Sequence, residues 1–286
     1  MRLAIIGDIH EDIESLVKSL NIIEKNKCDE IICLGDICGF TVPHYNYIAT
    51  RNASQCLKLV RENCKYVIAG NHDLFAIRKI PNCCEEFEFP ENWYKLPFDE
   101  RKKIAKNHIW LYEDNELSAL LNDDDIEFIN LLPEFEIIEV DEQKIFLSHY
   151  IFPDITGSAT NFIYDYNDYI DHEQFITEKG CDMSIFGHVH PDGLLLISNN
   201  KVDITANKIK NTSIVKGFSV PCIAQTKQRN GFVIYDTINK SIETIFLKKK
   251  FVTTQQQICH RLHRFLKKLS LKSVPYVVRE GKIIFL

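Results

Sequence analysis

Phe186-Gly187-His188-Val189-His190 sets two imidazoles one residue apart directly after the apolar run Met183–Phe186. A strand alternates its side chains between two faces, so the pair belongs to a loop at a strand's end, where the backbone can bend and aim both rings at one point. Four further apolar runs end the same way. Leu3–Ile6 leads into Gly7-Asp8-Ile9-His10, Ile31–Leu34 into Gly35-Asp36, Tyr66–Ala69 into Gly70-Asn71-His72-Asp73, and Lys144–Leu147 into Ser148-His149. A lone Asp or His after a strand is ordinarily a turn former or a satisfied polar group. Five at one structural position point to a common centre, because sites of α/β folds collect at the carboxyl ends of strands. Imidazole and carboxylate together suit Mn, Fe, Zn, Ni or Co, and no cysteine stands at these strand ends. Cys38, two residues past Asp36, is the nearest thiol and is not taken as a ligand. Seven or eight ligands exceed the needs of one ion. Two ions about 3.5–4 Å apart, sharing a carboxylate, would use them all and would bind phosphoryl oxygens during in-line displacement.

The elements that must carry these residues are legible in the same stretches. Ile13, Leu16, Val17, Leu20 and Ile23 recur at helical spacing, which predicts an amphipathic helix over Glu11–Lys25. Asn52 with Gln55 three residues later predicts a capped helix running to Asn63. Strand, helix, strand, helix, strand reads as βαβαβ with a parallel sheet. Phe75–Pro133 breaks this rhythm and is expected to be a mostly helical insertion that overhangs the site. Glu136–Val140 and Lys144–Leu147 read as a hairpin. Leu194–Ile197, Lys201–Ile204, Ser213–Val215 and Cys222–Gln225 read as short strands, and Gly231–Asp236 with Ser241–Leu247 as a second hairpin. The result is α/β, a layered sandwich whose second sheet is more antiparallel.

The 286 residues can bury a sizeable core, and 45% hydrophobic with 26% charged residues is ordinary globular composition. No apolar run approaches the roughly 20 residues of a membrane span. Ten cysteines without an export signal read as reduced thiols of a cytoplasmic protein. Net charge is −6, but Lys248–Leu286 holds ten Lys/Arg and one acid, +9 against −15 for the rest. There Ile258, Leu262, Phe265, Leu266 and Leu269 make an apolar stripe, and Pro275–Arg279 with Lys282–Leu286 a hairpin. Residues 1–247 are thus read as the main domain and 248–286 as a basic helix-hairpin extension, which packs on that domain or holds an anionic polymer.

Asp8-x-His10, Gly35-Asp36, Gly70-Asn71-His72-Asp73, His149 and Gly187-His188-x-His190 resemble, in order and spacing, the five motifs of the calcineurin-like metallophosphoesterases. The resemblance spans about Met1 to Leu247. It implies a four-layer α/β/β/α sandwich of two mixed sheets with a dinuclear centre, manganese first among the metals. Carried over by motif, Asp8, His10 and His190 would hold one ion, Asn71, His149 and His188 the other, and Asp36 would bridge. His72 would face the substrate phosphate, with Asp73 orienting it. Tyr150 departs from the family, where glycine usually follows this histidine. It would narrow the pocket, touch substrate or be a tolerated variant. His44, His108, His172, His260 and His263 read as surface or structural. Gly35-Asp36-Ile37-Cys38-Gly39 lacks the arginine of the protein phosphatase branch. The resemblance therefore implies hydrolysis of phosphodiesters or small phosphomonoesters, nucleotides included, by a metal-activated hydroxide. A nuclease that grips nucleic acid with the basic tail is the alternative. A non-catalytic scaffold, the third reading, would have lost ligand histidines that this chain keeps.

Overall fold

The computed structural model describes residues 1–42, 44–106, 108–247, 276–279 and 282–285. In chain order these form β1 (Arg2–Ile6), α1 (Ile13–Lys25), β2 (Glu30–Cys33), β3 (Phe40–Thr41), α2 (Ala53–Asn63), β4 (Tyr66–Val67) and α3 (Asn71–Ala76). Next come α4 (Phe98–Ala105), β5 (Glu116–Leu117), α5 (Asp123–Leu131), β6 (Phe135–Val140), β7 (Gln143–Ser148), α6 (Ile170–Glu178) and β8 (Met183–Phe186). The rest are strands: β9 (Leu194–Ser198), β10 (Lys201–Thr205), β11 (Val215–Ser219), β12 (Gly231–Asp236), β13 (Ser241–Phe246), β14 (Tyr276–Arg279) and β15 (Lys282–Phe285).

Two mixed sheets carry the fold. The first has the order β13-β12-β1-β2-β4, with β1, β2 and β4 parallel to one another, β12 antiparallel to β1 and β13 antiparallel to β12. The second has the order β10-β9-β11-β8-β7-β6, in which β7, β8 and β11 are parallel. Strand alternation sorts β1 between two cores. Ala4 and Ile6 face Leu16 and Ile23 of α1 and Leu57 and Val60 of α2. Leu3 and Ile5 face Ile145 and Leu147 of β7, Met183 and Ile185 of β8 and Phe218 of β11. Phe146, on the other side of β7, packs against Phe175 and Ile176 of α6. The layers are therefore helix, sheet, sheet, helix. Each fully buried Leu, Ile or Phe contributes about 1.5–3 kcal/mol to holding them together.

Several sequence expectations change in detail. The first helix begins at Ile13, because Asp12 caps it by accepting from the Ser15 amide, which leaves Glu11 in the loop. The Asn52 cap forms as expected, accepting from the Gln55 amide. The strand expected at Ser213–Val215 lies instead at Val215–Ser219. Residues 222–225 form no strand. Their amides brace the first loop instead, Ile223 donating to the Gly7 carbonyl and Ala224 to that of Asp8. The insertion is not mostly helical: α4 and α5 have 8 and 9 residues, and a short 3₁₀ turn spans Trp93–Lys95. Pro81, Pro90 and Pro97 remove helix donors at intervals too short for a long helix. The remainder is held by side chains, with Phe87, Phe89 and Trp93 packed edge to face. The expected C-terminal hairpin pairs Tyr276 with Phe285 and Arg279 with Lys282. The basic apolar-striped segment, with His260 and His263, lies outside the described residues. Among the described residues no helix is long and apolar enough to cross a membrane.

Candidate metal centre

Parallel β1, β2 and β4 end on the same edge of the sandwich as parallel β7 and β8, so their five following loops meet. Hydrogen bonds lock them together: the Asp8 amide donates to the Gly35 carbonyl, the His10 amide to that of Asp36, and the Gly187 amide to that of His149. Asp8, His10, Asp36, His188 and His190 all have φ between 46° and 64°. Left-handed backbone in residues other than glycine costs on the order of 1–3 kcal/mol each and persists where the surroundings over-determine it. Its concentration here turns side chains inward that an extended continuation of the strands would splay apart.

The functional atoms converge. His190 Nε2 lies 3.0 Å from Asp8 Oδ1 and 3.3 Å from His10 Nε2. His149 Nε2 is 3.1 Å from Asp36 Oδ2, and His10 Nε2 is 3.8 Å from the same oxygen. His188 Nδ1 is 3.2 Å from Asn71 Oδ1. Three overlapping groups each have donor atoms within 4.8 Å of one another: Asp8–His10–His190, His10–Asp36–His72 and Asp36–His149–His188. The structure thus brings all seven expected ligands into one cluster.

The protonation pattern suits a cation. His10 Nδ1 donates to the Gly39 carbonyl at 2.8 Å and His149 Nδ1 to that of Leu34 at 2.6 Å, which leaves each Nε2 turned to the centre. Burial pushes His10 and His188 down to about 3, so both rings are neutral donors. Burial opposes ionisation of the two carboxyls, but the facing imidazoles outweigh it, holding Asp8 below and Asp36 well below the ordinary range. Burial alone would lower His149; Asp36 and Asp8 instead raise it to about 10. His188 Nε2 is buried without a hydrogen-bond partner. Two carboxylates, four imidazoles and an amide oxygen form a donor set that fits divalent first-row metals.

His188 is wedged in place. Phe162 stacks on its ring with centroids 5.7 Å apart, and the buried Tyr150 packs 4.7 Å away. Tyr150 therefore backs His188 from within the core. Gly157 supplies the third wall: at φ +79°, a Cβ there would sit 2.5 Å from His188 Nδ1. Gly157→Ala is accordingly expected to displace His188 and weaken metal binding by about 10- to 100-fold, measured by calorimetric titration with Mn²⁺.

His72 and Asp73 part company. The Asp73 carboxylate accepts from the Ile37 and Cys38 amides, both at 2.9 Å, and from the Gly70 amide at 3.1 Å. Asp73 is the third residue of α3, and a side chain there reaches back to the helix start rather than to its neighbour. It ties the second loop to the third and does not orient His72. The group against His72 is Glu116 of β5, whose Oε2 is 2.5 Å from His72 Nδ1. Burial would lower His72, but Glu116 and Asp36 outweigh it and raise the ring to about 9. Asn71 gains a partner from the same segment, its Nδ2 donating to the Tyr112 hydroxyl at 2.5 Å. Glu116 and Tyr112 sit in a stretch without periodicity, and no sequence signal singles them out. His172 is structural: it is buried, and its Nδ1 accepts from the Phe152 amide.

An uncharacterised protein of Methanocaldococcus jannaschii is 24% identical over 223 residues, 72% of each chain. Among solved structures, a metallophosphoesterase from Sphaerobacter thermophilus superposes with a TM-score of 0.60 at 18% identity, covering 94% of this chain and 98% of that one. A hypothetical protein from Pyrococcus horikoshii gives 0.54 at 13% identity, covering 95% and 94%. These two likenesses are of fold. Residues 1–192 match the sequence pattern of the calcineurin-like phosphoesterases, and the chain belongs to that family.

Proposed function

We propose that the chain hydrolyses phosphoesters with two divalent cations, and that it prefers diesters. Asp8, His10 and His190 would hold one cation, Asn71, His149 and His188 the other, and Asp36 would be shared. The observation that carries this reading is the place of Asp36, whose Oδ2 lies between His149 Nε2 at 3.1 Å and His10 Nε2 at 3.8 Å. Bound there, two cations would polarise phosphoryl oxygens and acidify water near neutral pH. His72 stands at the edge of the cluster with its Nδ1 against Glu116, and it would supply a proton to the departing oxygen, the usual work of a positioned imidazole. The Arg51 guanidinium lies 3.2 Å from Glu11 Oε2 and donates to the Leu117 and Ser118 carbonyls. Bound in this way it offers little to a second phosphate charge, which favours the singly charged diester.

The test compares bis-p-nitrophenyl phosphate with p-nitrophenyl phosphate in the presence of Mn²⁺, alongside elemental analysis of the purified protein. Diester turnover that EDTA abolishes and Mn²⁺ restores, with two metals per chain, is the expected result. Monoester turnover alone would overturn the diester preference. One metal per chain at full activity would overturn the dinuclear assignment.

A further inference from the structure

Glu116 reaches His72 from 44 residues further along the chain, out of an insertion that the five strand-end motifs do not include. Its side chain is only 3% exposed. The backbone that presents it is fastened to the site from two sides. β5 pairs antiparallel with β3, setting Glu116 opposite Thr41 and Leu117 opposite Phe40. The Val42 amide donates to the Asn115 carbonyl at 2.9 Å, and the Glu116 amide to that of Tyr112 at 2.8 Å. Phe40, Leu117, Tyr45 and Tyr47 then form a small apolar cluster beneath this pairing. β3 itself begins directly after Gly39, and His72 lies so close to that glycine that a Cβ there would stand 2.5 Å from the His72 Cβ. One two-stranded sheet therefore holds both walls of the His72 ring, the bare glycine at one end and the carboxylate on its partner strand.

A carboxylate accepts, so Nδ1 carries the hydrogen of this contact and Nε2 is the nitrogen left to meet a reacting group. We infer that Glu116 is the positioning residue for His72, fixing its tautomer and tilt, and that Tyr112–Leu117 is thereby part of the reacting centre and no mere cover over it. Tyr112 does for Asn71 what Glu116 does for His72, so one short segment sets two neighbouring side chains of α3. The catalytic half of this inference rests on the proposal that His72 protonates the leaving oxygen; the positioning half does not.

The experiment uses the full chain and the variants Glu116→Gln, Glu116→Asp, His72→Ala and Glu116→Gln/His72→Ala. Diesters with a nitrophenyl and with a poorer, phenyl leaving group are compared. Glu116→Gln is expected to lower kcat roughly 30-fold, in the range for a carboxylate behind a functional histidine. The loss should be larger for the phenyl ester, because a poorer leaving group needs its proton more. KM and metal content should stay within about twofold, Glu116→Asp should recover part of kcat, and Glu116→Gln should cost nothing further once His72 is gone. Independently of turnover, nitrogen-15 NMR of the metal-free wild type should show a far-downfield Nδ1 proton on His72 that Glu116→Gln loses and Glu116→Asp keeps. Equal losses in both His72 backgrounds, or a loss that follows metal content, would overturn the positioning role. A missing Nδ1 signal would overturn the contact itself. Wild-type protein that cleaves neither ester would overturn the phosphoesterase reading and the catalytic half with it, while the NMR result would still decide the contact.

Discussion

Asp36→Asn is expected to lower phosphoester turnover by about 10³-fold or more, roughly 4 kcal/mol of transition-state stabilisation, and to drop the metal content below two per chain. The substitution preserves volume, which matters in this position. A Cβ on Gly70 would meet Asp36 Oδ1 at 2.2 Å, so the side chain has no room to move aside. What changes is charge and donor character. Asp36 presents one oxygen to the His72 amide at 2.9 Å and the other to His149 Nε2 at 3.1 Å. An amide nitrogen in the second place would face an imidazole with a hydrogen of its own, and a neutral oxygen would attract a shared cation far less. Elemental analysis and kcat, measured together on variant and wild type, check this. Full metal loading with intact turnover would remove Asp36 from the centre.

The same variant makes a pH statement about the metal-free protein. Asp36 is buried, which alone would raise its pKa, yet His149, His72 and His10 hold it well below the ordinary 3.8. A depressed carboxyl contributes stability above its unfolded pKa and loses it as pH falls through the folded value. The wild type without metal should therefore melt higher than Asp36→Asn at pH 7. The gap should narrow only at strongly acid pH, below the ordinary carboxylate range. Melting curves across that range test the sign directly.

His72→Ala is expected to lower kcat by roughly 10²- to 10³-fold while leaving metal content and KM near those of the wild type. The contrast with Asp36 follows from where the two sit. Asp36 lies inside the cluster, whereas the His72 ring stands at its edge, 5.0 Å from the His10 ring and 4.4 Å from that of Tyr112. Its Nδ1 is occupied by Glu116. Removing the ring takes away a proton donor without removing a carboxylate or one of the seven proposed ligands. The loss should shrink as the leaving group improves, because a good leaving group departs without help. Kinetics with a series of aryl diesters measures that slope. A loss of metal on His72→Ala would move the residue from donor to ligand.

Asp8, His10, Asp36, Asn71, His149, His188 and His190 were all readable in the chain, and for a local reason. A buried parallel strand is a continuous apolar run, and the residues just past such a run are bound to lie at one edge of the sheet. Run and polar stop are both short-range patterns, so order, spacing and edge follow from adjacent residues. The same locality made the Asn52 cap and the C-terminal hairpin readable. It misled for Cys222–Gln225, where an apolar stretch serves as a brace for Gly7 and Asp8 instead of a strand.

Asp73 shows where adjacency stops being a guide. Beside His72 in sequence, it points back along α3 to the Ile37, Cys38 and Gly70 amides, because direction on a helix depends on turn position and not on neighbourhood. Glu116, Tyr112, Gly157 and Phe162 were hidden for the complementary reason. Each reaches the centre through a contact tens of residues long in sequence, from loops whose polar and aromatic residues follow no period. By itself the sequence determined which strands end at the candidate centre and which carboxylate, imidazole and amide side chains they bring there. Tertiary structure alone decided what holds His72 and His188 at their working angles, since a side chain's orientation is set by whatever packs against it, however distant along the chain.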